Sequence, residues 1–350
     1  MHKTEQAKFR WYGIDLIRSF FMLLIINWHA HEAVFPDDSI LFNGADSWSA
    51  KLEVYSHYFS FGGQVLILIF ALLLGIKNSN LKKIFVFLLI SVFVLALCEG
   101  RPFGEQIYYE WDIYSLLTFS VLFLWFCQSF KIPNWILGVF GFIVLVIPWW
   151  NIFPKSDGFF NAALVGTCPP EGTGAWPILP WAGLFLTFFS LGSFIRRKLF
   201  WFKIFTWREG LLWFFILALS IPHTGAYQAS SATQKYYCDV LRQPIHVLAS
   251  QLSWILFLLR LSFLEKINSW LAQQKGILTF SALRWNSSFG LCYLLQFIFL
   301  AIASRYAGLF LKHPHVFDAM IPTVILATEL AARFMIFFQS KNLNVSRHEE

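Results

Sequence analysis

Apolar runs long enough to cross a bilayer recur from one end of this chain to the other, separated by short polar stretches. Ten are legible, at roughly 13–34, 59–77, 84–98, 113–128, 134–152, 177–195, 209–222, 243–264, 286–311 and 316–339. The pattern predicts an all-α, polytopic membrane bundle of about ten transmembrane helices, forming one continuous domain over residues 1–350. Runs 84–98 and 209–222 are short for a span.

The first run is the unusual one. GIDLIRSFFMLLIINWHAHEAV is apolar enough to cross a membrane, yet it carries Asp15, Arg18, Asn27, His29, His31 and Glu32. Ionisable groups are costly inside a bilayer and are kept there chiefly for function. Arg18 and His29 are eleven residues apart, close to three helical turns. They therefore share a face and lie about 16 Å apart along the axis, with Asp15 and Met22 near the same stripe. In this reading Asp15 orients Arg18, whose guanidinium fork suits a phosphate-bearing ligand arriving from the cytoplasm. His29 is the candidate general base.

Composition supports a membrane protein: 13% of residues are charged, against about a quarter in soluble domains. The net charge of +7 does not point to nucleic acid, because the basic residues sit in short loops with no binding motif around them. If the N-terminus is cytoplasmic, the inner loops and tails hold 17 of the 27 Lys and Arg residues and the outer loops six. The positive-inside rule then places both termini in the cytoplasm, and an even number of spans agrees. The first run lacks a small-residue cleavage site, so a span is expected there and not a cleaved signal peptide.

The outer loops are the chemically richer ones. They contain His57 among several acids, Asp112 in EGRPFGEQIYYEWD, and Arg242 ahead of His246 in RQPIHVLASQLSW. Acids, histidines and aromatic rings on one side suit a sugar: rings stack on its apolar faces and carboxylates accept its hydroxyls. An ordinary interfacial belt of Trp and Tyr would look the same. Arg242, His246, Ser250 and Ser253 form a polar stripe expected to line a cavity. In the last run, Glu329 and Arg333 are spaced to pair with each other. Cys98, Cys127 and Cys292 fall in or beside apolar runs and read as small hydrophobes. Cys168 and Cys238, in two outer loops, could form a disulfide if that face is oxidising. His29, His31, His57 and His223 carry no diagnostic metal spacing, so no metal is expected.

Several segments resemble the integral-membrane acyltransferase superfamily, which includes the acyltransferase family 3 sugar O-acetyltransferases. The closer likeness is to bacterial proteins of the heparan-α-glucosaminide N-acetyltransferase type. The Asp15, Arg18 and His29 arrangement resembles the superfamily's first helix. WPILPWAGLFLTFFSLG (Trp176–Gly192) is similar to the signature YPLLPWLGxxLLGxxLG. FGGQVLILIFALLLGI, EWDIYSLLTF and RWNSSFGLCYLLQF are similar to further helices, and the likeness spans roughly residues 9–300. Ser19 stands where a Gly usually follows the Arg, and Gln296 where relatives often have His. The resemblance implies transfer of an acyl group, usually acetyl, from cytoplasmic acyl-CoA to an extracytoplasmic sugar. Arg18 would then contact acyl-CoA and His29 would hold the catalytic position. It also places His57 in the stretch where animal relatives use a second histidine.

The function expected is therefore that of an acyl-CoA-dependent membrane acyltransferase, in the bacterial inner membrane, acting on a sugar, glycan or glycolipid. The catalytic candidates are His29 and Asn27, the latter as an oxyanion donor. Arg18 and Asp15 would serve acetyl-CoA, and His31, Glu32, His57, Asp112, Arg242 and His246 the acceptor. Self-association into a homo-oligomer is compatible with this. The rival readings are a transporter or flippase of an envelope glycolipid, and a non-catalytic membrane protein of envelope biosynthesis.

Overall fold

The computed structural model describes residues 11–34, 63–77, 79–99, 113–147, 164, 178–197, 205–229, 245–273, 289–304, 318–331 and 333–334, and α-helix is their only extended regular structure. In chain order the helices are α1 (Tyr12–Val34), α2 (Gly63–Lys77), α3 (Leu81–Glu99), α4 (Ile113–Ser129), α5 (Asn134–Val146) and α6 (Ile178–Arg197). They continue with α7 (Trp207–Ala229), α8 (Ile245–Ser262), α9 (Glu265–Gln273), α10 (Phe289–Ser304) and α11 (318–331). Contacts divide the chain into two compact units, one of Met1–Tyr55 with Phe257–Glu350 and one of Ser56–Leu256, so the boundary falls inside α8.

In the unit Ser56–Leu256, α6 is the hub and packs against α5, α2 and α4, while α3 packs on α4. Glycines set these crossings. A side chain at Gly192 would run into the carbonyl oxygen of Leu72, and one at Gly75 into that of Phe189. A Cβ at Gly141 would lie 2.7 Å from the Gly183 carbonyl oxygen, and one at Gly183 2.6 Å from that of Gly141. With only hydrogens at these points, backbones meet directly, as small-residue helix interfaces do. The Nδ2 of Asn134 donates to Ser193 Oγ at 3.0 Å and ties the start of α5 to α6. The segment Trp176–Gly192, singled out in the sequence, thus contributes the glycines of the packing hub. Among the described residues Ile178–Arg197 is also the helix long and apolar enough to cross a membrane. Since 67% of its apolar window is buried, it lies at the centre of its unit.

Local signals explain several helix ends. Asn80 Oδ1 accepts the Lys83 N–H (3.2 Å) at the start of α3. Thr206 Oγ1 accepts the Glu209 N–H (3.2 Å), the first half of a Thr-x-x-Glu capping box at α7. α4 closes with Lys131 at φ 57°. There Ile132 N–H bonds to Cys127 O and Lys131 N–H to Gln128 O, a Schellman ending built on lysine instead of glycine. α5 stops at Val146, short of the expected 152, because Ile147 precedes Pro148 and turns extended, with ψ 129°.

Two expectations need correction. α7 runs to Ala229, passing through Pro222 where the sequence suggested a stop, so His223 lies in a helix and not at the start of a loop. α9 was not expected at all. It is short and amphipathic, with Asn268 and Leu271 buried and Trp270 exposed.

Candidate functional site

α1 is fixed at its first turn. The Gly13 N–H donates to Asn268 Oδ1 on α9 (3.1 Å), and Asn268 Nδ2 donates to the carbonyls of Ser262 (2.7 Å) and Leu264 (2.8 Å). One buried amide thus serves the N-terminus of α1, the last carbonyl of α8 at Ser262 and the carbonyl of Leu264 just ahead of α9, which also accepts the Asn268 backbone N–H. Trp11 meets Phe263 edge-on, with centroids 4.6 Å apart. Gly13 is so close to Ser262 that a Cβ would lie 2.7 Å from the Ser262 Cα. The orientation of α1 against the α8–α9 corner is therefore set by backbone contact.

Above this anchor α1 is one unbroken helix of 23 residues, so its positions keep their helical phase along its length. Arg18 and His29 occupy nearly the same angular position, about 20° apart around the axis. That stripe is the inward one: Ile14 and Met22 are 0% exposed and Ile25 4%, whereas Leu16, Phe20 and Leu23 on the other side are 44%, 52% and 38% exposed. Asp15 and Arg18 are half-buried, and both engage neighbours. A cation on the inward face of an apolar helix, three turns from an imidazole position, is an arrangement that packing alone does not call for.

Asn27 lies elsewhere. It is 1% exposed but continues the Leu16–Phe20–Leu23 line, about 160° around the axis from His29. The helix does not bring Asn27 and His29 to one point, and residues 24–27 are buried on every side of it. His29, His31, Glu32 and His246 lie in helices, the first three in α1 and the last in α8, but their side chains are outside the described residues. His57, Asp112, Arg242, Cys168 and Cys238 also lie outside them. In the proposed stripe of α8, Ser253 Oγ donates to the Ala249 carbonyl of its own helix at 2.7 Å, so this hydroxyl is satisfied locally. Among the described residues, no group of three His, Cys, Asp or Glu is placed to hold a metal.

The pairing of Glu329 with Arg333 is present, with Arg333 Nε donating to Glu329 Oε1 at 2.9 Å. Sequence reasoning missed one buried polar residue close to α1 and named another without giving it a role. Asn268 was hidden in what reads as an inner loop. Gln296 on α10 is 0% exposed; the sequence marks it only as standing where the proteins this chain resembles often have His. α10 packs against α1.

No protein-family model, no curated protein and no solved structure matches this chain.

Proposed function

We propose that this chain is a polytopic membrane acyltransferase with ten spans and both termini in the cytoplasm. It would move an acyl group, acetyl in the simplest case, from cytoplasmic acyl-CoA to a hydroxyl or amine of an extracytoplasmic sugar, glycan or glycolipid. The observation that carries this reading is the inward stripe of α1, on which Arg18 and the His29 position share one face about 16 Å apart. A cation for phosphate at one depth and a base at another suit a donor and an acceptor that arrive from opposite sides.

The bilayer part of the reading is supported by large apolar side chains that face outward. Phe93, Trp135, Phe142, Phe214 and Leu219 are all more than half exposed, more than a water-soluble surface ordinarily shows in continuous helix faces. The Gly13–Asn268 clamp agrees with the topology as well. In a ten-span chain that starts inside, the beginning of α1 and the end of α8 lie at the same membrane surface.

In the reaction, His29 takes the proton of the acceptor hydroxyl or amine as that group attacks the thioester carbonyl. The carbon–sulfur bond breaks, the acyl group stays on the acceptor, and the imidazolium returns its proton to the departing thiolate. Arg18, oriented by Asp15, holds a phosphate of the donor. Asn27 lies across the helix from this stripe, so the oxyanion donor is left to a backbone amide.

The test is purified protein given acetyl-CoA labelled in the acetyl group, together with a sugar extract of the cell envelope. Label should pass to sugar with the wild type and not with His29→Ala. Transfer that persists in His29→Ala removes the catalytic assignment. Movement of an envelope glycolipid with no labelling would favour the transporter reading.

A further inference from the structure

Among the described residues, Gln296 is the buried side chain that has both of its polar atoms without a partner. It is 0% exposed, and neither its Oε1 nor its Nε2 has a hydrogen-bond partner. Thr328 on α11 is also 0% exposed, and its Oγ1 is likewise without a partner. Cys292, Gln296 and Leu300 are all buried and recur every fourth residue, so they form the inward stripe of α10. The Cys292 thiol on α10 lies within electrostatic reach of Glu329, the neighbour of Thr328 on α11. All these residues belong to the unit that also contains α1.

A buried amide with both ends unsatisfied is destabilising, and native proteins leave few such groups without a use. Leucine or methionine would fill the same space at no such cost. We propose that Gln296 is a ligand-recognition residue whose carboxamide pairs with a secondary amide of the substrate. This deepens the acyltransferase reading and rests on it. A carboxamide places an acceptor and a donor side by side, and a secondary amide answers with one donor and one acceptor. The stripe is closed over Gln296 in this structure, so the ligand reaches it when α10 and its neighbours part. A slim linear chain can enter between packed helices more readily than a ring, which favours the amide-bearing pantetheine arm of acyl-CoA. An N-acyl amino sugar carries the same chemistry.

Purified full-length wild type, Gln296→Leu and Gln296→Met are compared by thermal unfolding and by titration with acetyl-CoA and with an N-acetylglucosaminide. Both variants should melt at or above the wild-type temperature, because an unsatisfied polar group is gone. Acetyl-CoA should bind about 5- to 30-fold more weakly, the loss of one or two hydrogen bonds. A loss confined to the N-acetylglucosaminide would assign the amide partner to the acceptor and overturn the donor-arm assignment. Equal binding of both ligands by wild type and variants overturns the role of Gln296 while leaving the acyltransferase reading intact. If wild type binds neither ligand, both readings fall together. A lower melting temperature in both variants with unchanged affinity would make Gln296 a packing residue only.

Discussion

The backbone N–H of Gly13 donates to the side-chain Oδ1 of Asn268 across 255 residues of chain, at 3.1 Å. That bond fixes where the helix bearing Arg18 begins, because the same amide also holds the carbonyls of Ser262 and Leu264. Replacing Asn268 by Ala removes all three bonds. Each buried group left unsatisfied costs about 1–3 kcal/mol, so a clear drop in melting temperature is expected for the detergent-solubilised protein. Ser269, exposed on the same helix, provides the control: Ser269→Ala should melt like wild type. An unchanged melting curve for Asn268→Ala would remove the clamp from the account.

Glycine at the α2–α6 crossing is required by space. Gly192→Ala puts a methyl against the Leu72 carbonyl, and the Gly75 Cα is only 3.2 Å away. Rigid backbone surrounds it, so the helices must separate, at a cost of about 1–3 kcal/mol or more. At Gly210 the added methyl meets only the Phe205 ring, 3.2 Å away, and a ring edge can shift. Gly210→Ala should therefore be tolerated where Gly192→Ala is not, as read from the yield of folded protein and its thermal unfolding.

Lys131 holds a left-handed conformation, φ 57°, that costs a residue with a Cβ roughly 1–2 kcal/mol. Lys131→Gly relieves that strain but gains freedom in the unfolded chain. A net stabilisation of up to about 1 kcal/mol is expected. Lys131→Val should be destabilising, because a branched Cβ fits this conformation poorly. Denaturant midpoints of the three proteins would order as Gly, Lys, Val; any other order contradicts the Schellman ending.

Arg18 and His29 should separate kinetically. Arg18→Ala removes a donor contact and is expected to raise KM for acyl-CoA more than it lowers kcat. His29→Ala should lower kcat about 10²- to 10⁴-fold and leave donor affinity close to wild type. Titration of donor binding alongside steady-state rates measures both. Equal effects of the two substitutions on both parameters would mean that the stripe does not divide binding from chemistry.

Much of the helix layout was legible in the sequence. The break around Lys131 and Pro133, the Glu329–Arg333 pair and the burial of Cys127 and Cys292 all follow from local spacing and polarity. The illegible parts are those in which local and tertiary preferences disagree. Pro222 argues for a helix end, yet α7 continues through it to Ala229. α9 has only nine residues and no apolar run, so no local pattern marks it, and its role shows only in the bond from Gly13 to Asn268. Asn27 is different: it adjoins His29 along the chain, and helical phase, which the sequence itself carries, sets the two about 160° apart.

By itself, then, the sequence determined where the long apolar helices lie and that Arg18 and His29 share a face, because both depend on periodicity within one segment. Only the tertiary structure decided that this face is the inward one, that Gly75 and Gly192 seat one helix on another, and that Gln296 is buried without a partner. Those facts depend on which helices meet and at what distance, and chain-distant surfaces leave no periodic trace in the residues that form them.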